Sequence, residues 1–153
     1  SNSRVWIFQS SRAFTLSEIV DLKNKIETFL ENWKSHGHSF ESGYELPYNR
    51  FIVIGLNESS TDASGCSIDK CMNFIKYLES VYQVDLLDKM NVTYRNKDLI
   101  EYVNLKDFIK LAKSKLVSSD TIVFNNLVLN KNQYIENWEV KAKESWHNRY
   151  MKL

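Results

Sequence analysis

Short unbroken apolar runs alternate along this chain with longer stretches in which apolar residues recur every three or four positions. Val5-Trp6-Ile7-Phe8 is wholly apolar and reads as a buried strand. In "FTLSE" the spacing of Thr15 and Glu18 predicts a capping box, with Phe14 and Ile19 as the hydrophobic staple. Ile19, Leu22, Ile26, Phe29, Leu30 and Trp33 then form one helical face, with an expected end near His36 and Gly37 as terminator. Residues 38–50 are polar and aromatic, and Pro47 restricts any strand there to an edge. Phe51 to Ile54 is the strongest central strand.

A second helix shows Ile68, Cys71, Met72, Ile75, Leu78 and Tyr82 on one face, with Ser67 as its expected N-cap. Period-two alternation on both sides of Asn96-Lys97 predicts a hairpin from Val92 to Val103. Asn104 caps a third helix through Leu105, Phe108, Ile109, Ala112 and Leu116. Thr121 to Phe124 is a further strand. Asn130 with Gln133 opens a fourth helix, marked by Tyr134, Ile135, Trp138, Ala142 and Trp146. The order β-α-β-α-β-β-α-β-α predicts an α/β (or α+β) chain, one layered domain over residues 1–153. Its mixed sheet would have about five strands, with helices packed on it and the hairpin as an antiparallel edge.

Composition narrows the function classes. The 153 residues are 43% hydrophobic and 25% charged, as in ordinary globular proteins, and no apolar run is long enough to span a bilayer. Twenty basic and nineteen acidic residues leave a net charge of +1, against a nucleic-acid footprint. Two cysteines and no secretory signal predict a reducing, cytoplasmic setting. Glycines at 37, 43, 55 and 65 fit neither a Walker A loop nor a dinucleotide fingerprint. H-E-x-x-H and G-x-S-x-G are also absent, and no cofactor is expected.

"NRFIVI" followed by "ASGCSID", with "WKSHG" upstream and "SWHNR" near the end, resembles a family of small bacterial proteins of uncharacterised function. Its members are commonly labelled ABC transporter ATPases. The resemblance covers nearly the whole chain and is most specific at Ser64 to Asp69. It implies a cytoplasmic, stand-alone protein without an established activity. The label has no counterpart in these residues, since nothing here cradles a triphosphate.

The loop "NESSTDASGCSID" leaves a buried strand and enters a helix, where open α/β sheets place ligands and where helix N-terminal N–H groups suit anions. If the three apolar strands run parallel, Arg12, the Ser64-Gly65-Cys66-Ser67 turn and Asn125 share one rim. A small anionic ligand there would meet Arg12, Ser64, Gly65 and Asn125, with Cys66 or Ser67 as the nucleophile of any catalysis. Cys66 next to a helix N-terminus also admits a thiol redox sensor. With Ser67 as N-cap, however, Cys66 and Cys71 occupy the two staple positions and simply pack together. A Cys₂His₂ site with His36 and His38 is a third reading, but core packing accounts better for Cys71, and no metal is expected. His147, beside Trp146, reads as a surface or half-buried histidine. The alternative to a ligand site is a non-enzymatic interaction module or homodimer, using Phe40 to Tyr48 or the hairpin edge.

Overall fold

Thr15 opens the first helix by the predicted reciprocal bonds. Its hydroxyl accepts from the Glu18 N–H at 3.2 Å, and the Glu18 carboxylate accepts from the Thr15 N–H at 2.9 Å. The structure, a computed structural model, describes residues 3–35, 38–57 and 63–151. By its contacts the chain divides into two compact units, Ser1–Leu87 with Leu129–Lys131, and Asp88–Val128 with Asn132–Leu153.

The first unit holds β1 (Ser3–Gln9), α1 (Leu16–Asn32), β2 (Lys34–Ser35), β3 (His38–Ser39), β4 (Glu41–Glu45), β5 (Phe51–Asn57) and α2 (Gly65–Tyr82). Its three-stranded sheet runs β1-β5-β4, and every pairing is antiparallel, with Ser3 opposite Asn57 and Gln9 opposite Phe51. One face of the sheet, carrying Trp6, Phe8, Ile52 and Ile54, joins Leu22 and Ile26 of α1 and Ile75 and Leu78 of α2 in a single core. The outer edge of β1 is covered near its start: Asn130 bridges Arg4, and the Val5 N–H donates to the Leu129 carbonyl at 3.0 Å.

Helix α1 stops at Asn32, short of the expected His36. Trp33 turns to extended backbone and is buried, its ring meeting those of Trp6, Phe29 and Phe40. His36 and Gly37 lie outside the described residues.

The second unit holds β6 (Val92–Asn96), β7 (Leu99–Val103), α3 (Leu105–Lys113), β8 (Ile122–Phe124), α4 (Lys131–Asn137) and β9 (Glu139–Lys141). Two 3-10 turns follow, at Ala142–Glu144 and Trp146–Tyr150. The hairpin forms as predicted, β6 against β7, and the sheet is antiparallel in the order β7-β6-β8-β9. Asn104 caps α3, its side chain accepting from the Asp107 N–H at 2.8 Å.

Two expectations are corrected here. The single mixed sheet of about five strands is replaced by separate antiparallel sheets of three and four strands beside the short β2-β3 hairpin. The fourth helix is only seven residues long and gives way to β9, in which Val140 is buried between exposed neighbours.

Candidate functional site

The rim imagined from sequence requires parallel strands, and β1 and β5 are antiparallel. Arg12 follows the end of β1 and is held there. Its guanidinium donates to both Glu18 carboxylate oxygens, at 2.8 and 3.0 Å, and to the Tyr82 carbonyl at 2.7 Å. Those bonds, then the Thr15 N–H, bring the Glu18 carboxyl down to about 2. Tyr82 is the last residue of α2, and Ser64 is the N-cap of the same helix. Eighteen helical residues span about 27 Å. Arg12 therefore serves the opposite end of α2 from Ser64 and Gly65. Asn125 lies just after β8, in the second unit, where its side-chain oxygen accepts from the Leu127 N–H at 3.1 Å. Arg12 and the Ser64 to Ser67 turn therefore do not share a rim.

At the helix start itself, the N-cap is Ser64 and not Ser67. The Ser64 hydroxyl accepts from the Ser67 N–H at 3.1 Å, so α2 begins three residues earlier than expected. Ser67 is consequently buried inside the first turn. Its hydroxyl donates to the Lys34 carbonyl at 3.1 Å and lies 2.9 Å from the Ser64 hydroxyl, while its own carbonyl accepts from the Trp33 indole at 2.9 Å. These bonds fasten the start of α2 to the end of α1 and give Ser67 a structural role in place of the nucleophile's.

Cys66 and Cys71 part company as well. Cys66 sits exposed in the first turn, and Cys71 is buried with its thiol pushed up to about 12 by desolvation. The expected Cys66–Cys71 staple is therefore absent; Ala63 and Ile68, both packed against the core, occupy those cap positions. Among the described residues no cluster of three metal-ligating side chains exists. Of the loop residues Ser59, Ser60 and Thr61, and of the side chain of His38, nothing is described.

His147 is fully buried, against the surface or half-buried placement expected of it. Its Nδ1 lies 2.8 Å from the Ser145 hydroxyl, Trp146 stacks on its ring at 3.8 Å, and Phe108 meets it edge-on. Among the described residues Nε2 has no hydrogen-bond partner, and burial draws the imidazole down to about 4. At neutral pH this histidine is an uncharged part of the core.

A cleft of about 520 Å³ beside Ser11, Glu79, Gln83 and Asp85 is polar, but its groups are engaged in closing the loop after α2. The Glu79 carboxylate accepts from the Leu86 and Leu87 N–H groups, and the Ser11 hydroxyl from that of Asp85.

The second expected surface, Phe40 to Tyr48, has more to offer. Strand β4 lies at the end of its sheet, and among the described residues no strand pairs with its outer edge. Ser42 and Tyr44 face the helices, and the Tyr44 hydroxyl donates to Glu27 of α1 at 2.6 Å. Burial, then the Glu27 carboxylate, raises that phenol to about 12. Glu41, Gly43 and Glu45 face the other way and are exposed. Beside the edge a cleft of about 550 Å³ is lined by Lys23, Tyr44, Glu45, Leu46, Pro47 and Asn49.

Leu16, Val20, Lys23 and Glu27 follow one another at helical spacing on α1, so two apolar side chains continue the stripe that reaches the cleft. Leu16 is 77% and Val20 64% exposed. The turn below holds Tyr48, half exposed, at φ 58°, a conformation a bulky side chain rarely takes. The Asn49 carbonyl, accepting from the Phe14 N–H at 2.7 Å, pins the turn in place.

No family model, curated protein or solved structure matches this chain. What the site does is therefore argued from its own chemistry. No helix among the described residues is long and apolar enough to cross a membrane.

Proposed function

We propose that this protein is an interaction module that receives an extended segment of another protein along the outer edge of β4. The observation that carries the reading is the coincidence of a strand at the sheet's edge, with no described strand on its outer side, with a cleft and an exposed apolar stripe on the helix beside it. An added strand satisfies main-chain groups that β4 leaves facing outward, and alternate side chains enter the cleft. Exposed Leu16, Val20 and Tyr48 supply apolar area next to those hydrogen bonds.

The test is to select strand-length peptides from a random display library on the full chain, then follow backbone hydrogen exchange with the best of them bound. Slowed exchange at Ser42 to Glu45 is the expected result. Selected peptides that slow exchange only elsewhere, or a library that yields no binder, would overturn the reading.

A second reading keeps the Ser64-Gly65-Cys66 turn as an anion site, supported by the exposed first turn of an eighteen-residue helix. Arg12, bound at the far end of α2, does not contribute to it. Phosphate titration monitored by the amide signals of Gly65 and Cys66 tests it, and unmoved signals at millimolar phosphate would remove it.

A further inference from the structure

Gly43 stands in the middle of β4, where glycine weakens a strand and contributes no packing. Nothing within the described fold requires it. Its φ is outside the left-handed range, and a Cβ built there meets no atom within 4 Å. Directly across the ladder is another glycine, Gly55, so the face of β4 turned away from α1 has a notch at the strand's edge. Glu41 and Glu45 flank that notch, two residues away on either side and on the same face. Close approach by a ligand or another backbone is one use of a mid-strand glycine, and the open space above Gly43 leaves room for it.

Resting on the edge-strand reading above, we infer that the segment received by β4 alternates apolar and basic residues. Its apolar side chains lie toward α1, in the cleft between Lys23 and Leu46 and against the Leu16–Val20 stripe. Its basic side chains lie on the other face, their stems across Gly43 and their charges beside Glu41 and Glu45. Opposite charges facing each other across strands are favourable, and like charges are not. The same rule disfavours a second copy as the occupant. Two β4 strands paired antiparallel about Gly43 set Glu41 of each against Glu45 of the other.

Three ten-residue peptides test this on the full chain: alternating valine and lysine, valine and glutamine, and valine and glutamate. Binding is read by fluorescence anisotropy and by hydrogen exchange at β4. The lysine peptide is expected to bind at least tenfold more tightly than the glutamate peptide. A Glu41→Lys/Glu45→Lys double variant should reverse that order. Gly43→Val, with an unchanged circular dichroism spectrum, should weaken the lysine peptide by a similar factor.

Equal binding of the lysine and glutamine peptides, unaltered by charge reversal, overturns the basic preference and leaves the edge reading standing. No binding by any peptide, or binding that leaves β4 amides unshielded, overturns both. Concentration-dependent dimerisation that shields β4 amides identifies a second copy as the occupant and overturns the inference.

Discussion

The two cysteines take opposite roles here according to burial. Cys66 is in water and Cys71 is not, so native protein treated with an alkylating reagent near pH 8 should label one thiol rapidly. The second should react only after denaturation, as counted by mass spectrometry; two fast thiols would contradict the packing of Cys71. Ser67 illustrates the same division. Ser67→Ala removes the donor to the Lys34 carbonyl, and a lost buried hydrogen bond costs about 1–2 kcal/mol. Urea denaturation should show a lower midpoint with an unchanged slope.

His147 gives a pH dependence whose direction is fixed. Its ordinary value of 6.5 holds in the unfolded chain and falls to about 4 in the fold. Between those values the unfolded state binds the extra proton, so stability is complete above pH 6.5 and declines as pH drops toward 4. Glu18, lowered to about 2, adds its own loss only below its ordinary 4.5. His147→Phe should flatten the urea midpoint between pH 6.5 and 4.5; an unchanged slope there would assign the effect to another group.

Among elements, β4 offers the sharpest contrast between stability and use. Replacing Gly43 by a β-branched residue fills open space and removes glycine's entropic penalty, so Gly43→Val should stabilise the fold by about 0.5–1 kcal/mol. A thermal melt that falls instead would mean that the notch is required by the fold itself.

Element type and element boundary were unequally legible in the sequence. The capping box at Thr15 and Glu18 was readable because both partners are local in sequence. Ser64 and Ser67 are both good caps three residues apart, and only the packing of Trp33 and Lys34 against the first turn decides between them. The fourth helix was overextended for a different reason. Trp138, Ala142 and Trp146 are four apart, a spacing that keeps residues on one side of a strand as well as of a helix. The alternation of Trp138, Val140 and Ala142 was the strand signal, and β9 follows it.

At the scale of the molecule, strand direction was the missing quantity. Val5 to Phe8 and Phe51 to Ile54 are buried on both faces, which the apolar runs foretold. Burial on two faces is typical of parallel strands but does not dictate them, and here both runs belong to an antiparallel sheet. The expectation that brings Arg12 beside Cys66 depends on direction, and the antiparallel β1-β5 pair leaves Arg12 at the other end of α2. The edge position of β4 was legible because it follows from Pro47 and polarity, which are local. Charge also sorts by unit: the first carries nine basic and eleven acidic residues, the second eleven and eight. With Glu41 against Glu45 opposing self-pairing, sedimentation velocity should find a single monomeric species at micromolar concentration.

The bridge from Asn130 to Arg4 has a consequence for stoichiometry. With the start of β1 shut by Leu129 and Asn130, and no described strand on the outer edge of β4, this sheet can grow at one side only. On the proposed edge-strand function it would take one guest and then end, a terminus instead of a link. Titrations should saturate at one peptide per chain, and the protein should cap strand-adding assemblies without propagating them.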